Sequence, residues 1–86
     1  MNLVNKFKET TKSEKVFYDV YAKGVPRIAY NCLEINEAIK KAFSWLCIFT
    51  EKENINISLR ECENTTVLRL RFKSHKVVLQ SSTLLN

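Results

Sequence analysis

Eighty-six residues contain one glycine, one proline, one histidine and one aspartate. A single glycine excludes the phosphate-cradling P-loop and the three-glycine dinucleotide fingerprint, which need several backbone positions without a Cβ. So few glycines and prolines also exclude collagen-like and linker-like chains. With His75 as the only histidine, no paired-histidine zinc site and no His-Glu-x-x-His helix can be built. A Cys–His nucleophile would need a cysteine and an orienting group beside His75, and no pattern points to either. Asp19 stands alone, and the glutamates at 51, 53, 61 and 63 sit in connecting segments, where they solubilise. The expectation is a protein that is not an enzyme, with no cofactor, no metal and no small-molecule substrate.

Long apolar runs are missing too. Nothing approaches the roughly 20 residues that span a bilayer. The start, Met1 to Glu9, lacks the apolar stretch of a secretory signal. Basic charge near the helix described below is limited to Lys40, Lys41 and Lys52, offset by Glu37 and Glu51, which argues against a membrane-lying helix. Cys32, Cys47 and Cys62 are odd in number and widely spaced, unlike the even framework of a small secreted domain. They read as reduced thiols used as small apolar fillers. Together these features predict a cytoplasmic protein.

What is present is globular: 45% hydrophobic and 27% charged residues, in a length suited to one domain. The net charge of +5 is uneven. Residues 1–33 carry six basic and three acidic groups, 34–53 three and four, and 54–86 five and two. Two basic flanks around a near-neutral middle favour an anionic partner, such as nucleic acid, a phospholipid surface or an acidic protein, without choosing among them.

Periodicity gives the elements. Residues 1–15 are polar and basic, a tail or a short helix folded back through Leu3, Val4 and Phe7. From Val16 to Lys23 apolar residues alternate, with Val16, Tyr18, Val20 and Ala22 on one side, which reads as a strand. Gly24-Val25-Pro26 is a turn. Arg27 to Leu33 resumes the alternation, with Ile28, Tyr30 and Cys32 on one side. Ile35, Ala38, Ile39, Ala42, Phe43, Leu46 and Phe49 then fall within about 140° of a helical wheel. That predicts a helix over about 35–50, capped by Asn36 with Glu37 in its first turn. Ile55, Ile57 and Leu59 alternate into a third strand. A turn at Asn64 precedes a fourth strand, Thr66 to Lys73, with Leu68, Leu70 and Phe72 on one side. Val77 to Leu79 makes a short last strand at most, and the end is expected to fray over 81–86. The expected domain, 16–80, is α+β, with β-β-α-β-β order and one amphipathic helix packed on one face of an antiparallel sheet of four or five strands.

One helix on one face leaves the other face open, and the pleat assigns its residues. The first strand contributes Phe17, Asp19, Tyr21 and Lys23. The second contributes Arg27, Ala29 and Asn31, and the third Asn56, Ser58 and Arg60. The fourth contributes Val67, Arg69, Arg71 and Lys73. Three cations at i, i+2 and i+4 repel one another unless an anion lies across them. Guanidinium pairs suit bidentate contact with phosphate or carboxylate, and Phe17 and Tyr21 offer faces for unpaired bases. This predicts binding of nucleic acid or of an acidic partner through Arg69, Arg71, Lys73, Arg60, Arg27, Lys23, Phe17 and Tyr21. A solvated face whose charges guard against aggregation, or a face roofed by residues 1–15, would give the same sequence pattern.

On the helix, Ile48 points away from the apolar stripe and Trp45 sits at its flank. A patch of these two suggests a protein interface, including a possible homodimer. Two functions follow as expectations. One is a non-catalytic binding or regulatory protein whose basic sheet face engages nucleic acid or a nucleoprotein complex. The other is a protein–protein interaction device, a small inhibitor or adaptor of the type phages and mobile elements direct against a host nucleic-acid machine.

Overall fold

The computed structural model describes residues 2–11, 16–22, 24, 28–62 and 65–83, with backbone alone at 30, 31 and 83. The chain is a small α+β domain. Helix α1 (Leu3–Thr10) precedes strands β1 (Val16–Ala22) and β2 (Ala29–Cys32). Helix α2 (Ile35–Leu46) and a 3-10 turn at Lys52–Asn54 lead to β3 (Asn56–Glu61), β4 (Thr65–Phe72) and β5 (His75–Thr83). The strands form one antiparallel sheet in the order β2-β1-β5-β4-β3.

The sequence-last strand is thus central. β5 pairs with β1 from Val16↔Thr83 to Ala22↔Val77 and with β4 from Thr65↔Ser82 to Phe72↔His75. It runs through Ser81 and Ser82 to Thr83, where the apolar pattern predicts a strand ending at Leu79 and a frayed end from residue 81. The physical reason is a pair of cross-strand bonds: the Ser81 hydroxyl accepts from the Thr66 backbone N–H (3.1 Å) and donates to the Thr66 carbonyl (3.3 Å). That satisfies its polar group inside the sheet, so a serine lies buried at 4% exposure.

Both helices cover the same face. Val20, Leu68, Leu70, Val77 and Leu79 are fully enclosed beneath Ala38, Ala42 and Leu46 of α2. α2 crosses from β2 over β1, β5 and β4. Glu34, rather than Asn36, caps it, its carboxylate accepting from the Asn36 N–H at 3.4 Å. The helix stops at Leu46, short of the expected 50, and the Cys47 N–H closes the last turn on the Phe43 carbonyl (2.9 Å). Cys47, Ile48, Phe49 and Thr50 all have middling or low helix propensity, so nothing in that stretch carries the helix onward.

α1 fulfils the folded-back alternative for the N-terminal segment. Asn2 caps it, accepting from the N–H groups of Val4 (2.9 Å) and Asn5 (3.4 Å). Phe7 is completely buried, with its ring 6.0 Å from that of Tyr18. The Thr11 hydroxyl donates to the Phe7 carbonyl (2.9 Å) and accepts from the Tyr18 hydroxyl (3.2 Å). Tyr18 lies on the same side of β1 as Val20, so α1 joins the α2 layer, and no described helix lies on the opposite sheet face.

β2 departs from simple alternation. Tyr18 pairs with Cys32 but Val20 with Ala29, with a register shift between them. That irregularity brings Ala29 onto the helix side, where it packs against the core, instead of the open side that strict alternation assigns. Gly24 has φ +81°, the left-handed conformation that suits glycine in the turn after β1. The predicted turn residues Val25, Pro26 and Asn64, and the predicted core side chain Tyr30 and open-face side chain Asn31, lie outside the described set. So do 12–15 of the N-terminal segment and 84–86 of the expected frayed end.

Candidate nucleic-acid interface

The uncovered face follows from the registers. β3 places Asn56, Ser58 and Arg60 there, and β4 places Val67, Arg69 and Arg71. β5 adds Lys76, Val78, Gln80 and Ser82, and β1 adds Phe17, Asp19 and Tyr21. One row across the strands reads Tyr21, Val78, Arg69, Ser58. At 4.7–4.9 Å per strand, Tyr21 and Arg69 are about 10 Å apart. The next row toward the β4–β5 turn reads Lys76, Arg71, Asn56.

Between β3, β4 and β5 this face sinks into a depression of 570 Å³ lined by Asn56, Ser58, Arg69, Arg71, Lys76 and Val78. Three cations and two small polar side chains surround it, and among the described residues no carboxylate lines it. Arg69, Arg71 and Lys76 are exposed. None of the three makes an ion pair or side-chain hydrogen bond with another described residue. Arg60 is exposed on the same face, beside Val67.

Lys76 is the residue that the sequence pattern does not single out, and Lys73 is the one that it misplaces. Phe72 and His75 close a two-residue turn, Lys73-Ser74. Lys73 takes φ 55°, outside the extended conformation that the i, i+2, i+4 row requires. Its ammonium lies 5.3 Å from the centre of the Phe72 ring, away from Arg71. The hairpin instead sets Lys76 directly opposite Arg71. The clue was available as spacing: a two-residue turn at 73–74 forces that pairing. Lys-Ser is not one of the usual two-residue hairpin dipeptides, so the turn itself is poorly marked.

The aromatic part of the site is more enclosed than expected. Phe17 and Tyr21 are half-buried, and the Tyr21 hydroxyl donates to Asp19 Oδ2 at 3.4 Å. Asp19, on the same face, is only 7% exposed, and both residues have further partners. Lys23 and Arg27, the other predicted contacts, lie outside the described residues.

Trp45 is half-buried, edge-on to Phe49 (5.4 Å between ring centres) and to His75 (6.2 Å). Phe49 stacks on His75 at 3.8 Å and 9°. Ile48, in the turn after α2, is 72% exposed. Trp45 thus belongs to an aromatic trio and also lines one shallow depression with Ile48, Ile28, Lys41 and Ser44. All three cysteines are free thiols; Cys32 packs partly buried against the core, whereas Cys47 and Cys62 are exposed, which corrects the reading of those two as apolar fillers.

Among the described residues no cluster of three or more His, Cys, Asp or Glu side chains is arranged to hold a metal ion. No described helix is long and apolar enough to cross a membrane. The described site is a cationic sheet surface, and no family model, curated protein or solved structure matches the chain.

Proposed function

We propose that this chain is a non-catalytic binding or regulatory protein whose uncovered sheet face engages nucleic acid or a nucleoprotein complex. One observation carries the reading: Arg69, Arg71 and Lys76 converge on an open depression that, among the described residues, no carboxylate lines. Opposed like charges on a sheet cost stability, and an anion laid across them relieves that cost. Planar guanidinium groups match phosphate oxygens bidentately, while Asn56 and Ser58 supply neutral donors beside them. Phosphate contacts of this kind give affinity with little sequence choice. Phe17 and Tyr21, two strands or more away, add partial ring surface for unpaired bases.

Fluorescence anisotropy with a labelled single-stranded oligonucleotide tests it. Affinity falls with salt at a log–log slope of about −0.7 per phosphate neutralised. Arg69→Glu combined with Arg71→Glu abolishes binding while the circular dichroism spectrum is unchanged. Binding that survives the double change, or retention on a polyanion resin no better than that of a scrambled-charge variant, overturns the proposal.

The second reading is a protein–protein device, an inhibitor or adaptor acting on a nucleic-acid machine. The exposure of Ile48 (72%) next to Phe49 (43%) supports it, since apolar side chains of that size gain from being covered. A nuclease-resistant complex with one protein, lost on Ile48→Glu, distinguishes it from a nucleic-acid bridge.

A further inference from the structure

The two edges of the sheet are not equivalent. β2 is short and its pairing is irregular, both of which discourage another strand from adding to it. β3 is six residues long, regular in register with β4, and contains no proline, glycine or lysine. The Cys62 N–H donates to the Thr65 carbonyl (2.8 Å), which sets the phase of the β3–β4 ladder. Asn56, Ser58 and Arg60 therefore direct their backbone groups toward β4, and Ile57, Leu59 and Glu61 direct theirs outward. Among the described residues those outward groups have no backbone partner. On the helix side of this edge Ile57, Leu59, Leu3 and Val4 are only partly buried.

We infer that β3 is the interface of a twofold-symmetric homodimer, in which the two β3 strands pair antiparallel about Ser58 and join two sheets into one of ten strands. The sequence of the strand is self-complementary in that register. Outward-facing Ile57 meets Leu59 of the second copy in hydrogen-bonded pairs, and the same two residues bring half-buried apolar side chains together on the helix side. On the open side Ser58 meets Ser58, and Asn56 meets Arg60, so no like charges stand opposite. The strand carries Arg60 and Glu61 and is electrically neutral, whereas the whole chain is +5. It is thus a border along which two cationic molecules approach without a local penalty. A second copy fits better than an unrelated peptide because both the ladder and the side-chain rows are satisfied by symmetry.

Pairing also completes the depression. Arg69 lies opposite Ser58. Across the axis the row becomes Arg69, Ser58, Ser58, Arg69, with the two arginines about 14 Å apart at three strand spacings. The two basic hollows then form one trough. The inference goes beyond the proposed function and does not depend on it, because its test uses protein alone.

Sedimentation equilibrium of nuclease-treated protein, taken up to about 200 µM to drive association, is expected to give twice the 10.1 kDa chain mass. Ser58→Arg sets like charges against each other at the axis without touching the core, and is expected to raise the dimer dissociation constant at least ~10-fold. With Cys32, Cys47 and Cys62 changed to serine, Ser58→Cys should crosslink to a dimer under mild oxidation, whereas Ser44→Cys on exposed α2 should not. A monomer across the concentration range overturns the inference. So does a dimer indifferent to Ser58→Arg, or equal crosslinking from position 44.

Discussion

Arg71 stands directly across the β4–β5 ladder from Lys76, two cations in register one residue beyond a tight turn. Opposite side chains in such a pair have Cβ atoms about 4.5–5.5 Å apart, where like charges destabilise by up to about 1 kcal/mol. Lys76→Glu is therefore expected to raise folding stability by about 0.5 kcal/mol and to weaken oligonucleotide binding. Urea unfolding and anisotropy, run on the same variant, check the opposite signs. The same logic predicts that wild-type stability rises with salt over the range where screening develops.

Lys73 holds the turn beside this pair with a left-handed backbone, φ 55°. A side chain with a Cβ costs about 1 kcal/mol there, and glycine does not. Lys73→Gly should stabilise the fold by several tenths of a kcal/mol up to about 1, after the loss of the ammonium contact with Phe72 and the greater freedom of the unfolded chain are set against it. A lower urea midpoint than wild type would contradict that sign.

The contact between α1 and the sheet makes residues 2–11 part of the fold. Phe7→Ala removes a fully buried ring and should cost about 3–5 kcal/mol, enough to unfold a marginal domain. Tyr18→Phe keeps the ring and removes only the bond to Thr11, at about 1 kcal/mol. Chemical denaturation of the two variants should preserve that order.

Phe49 and His75 stack at 3.8 Å, tying the turn after α2 to the first residue of β5. A double-mutant cycle with Phe49→Ala and His75→Ala should return a coupling of about 0.5–1.5 kcal/mol. A coupling near zero would mean that the two rings act independently.

Much of this was legible in sequence because burial imposes a period. The alternation from Val16 and the helical spacing from Ile35 locate β1 and α2, and the odd positions of β4 place Arg69 and Arg71 on the uncovered side. The helix end, the β2 irregularity and the extent of β5 were not legible. Ile48 and Phe49 continue the apolar composition after the helix hydrogen bonds stop. Ala29 and Cys32 share a side only because a register shift intervenes. Ser81 is buried through a bond to Thr66, fifteen residues away, which no local pattern records.

The amino-acid order alone determined which side chains alternate between apolar and charged, and so which residues belong on each side of a strand. Strand pairing was decided in three dimensions. Val16 meets Thr83 across almost the whole chain, and that long-range choice puts β5 at the centre of the sheet. It also decided that Lys76 rather than Lys73 completes the basic depression, since a turn of two residues fixes register through backbone geometry. The position of α1 was settled by Phe7, which found its burial against Tyr18 on the side already occupied by α2, leaving the cations facing solvent.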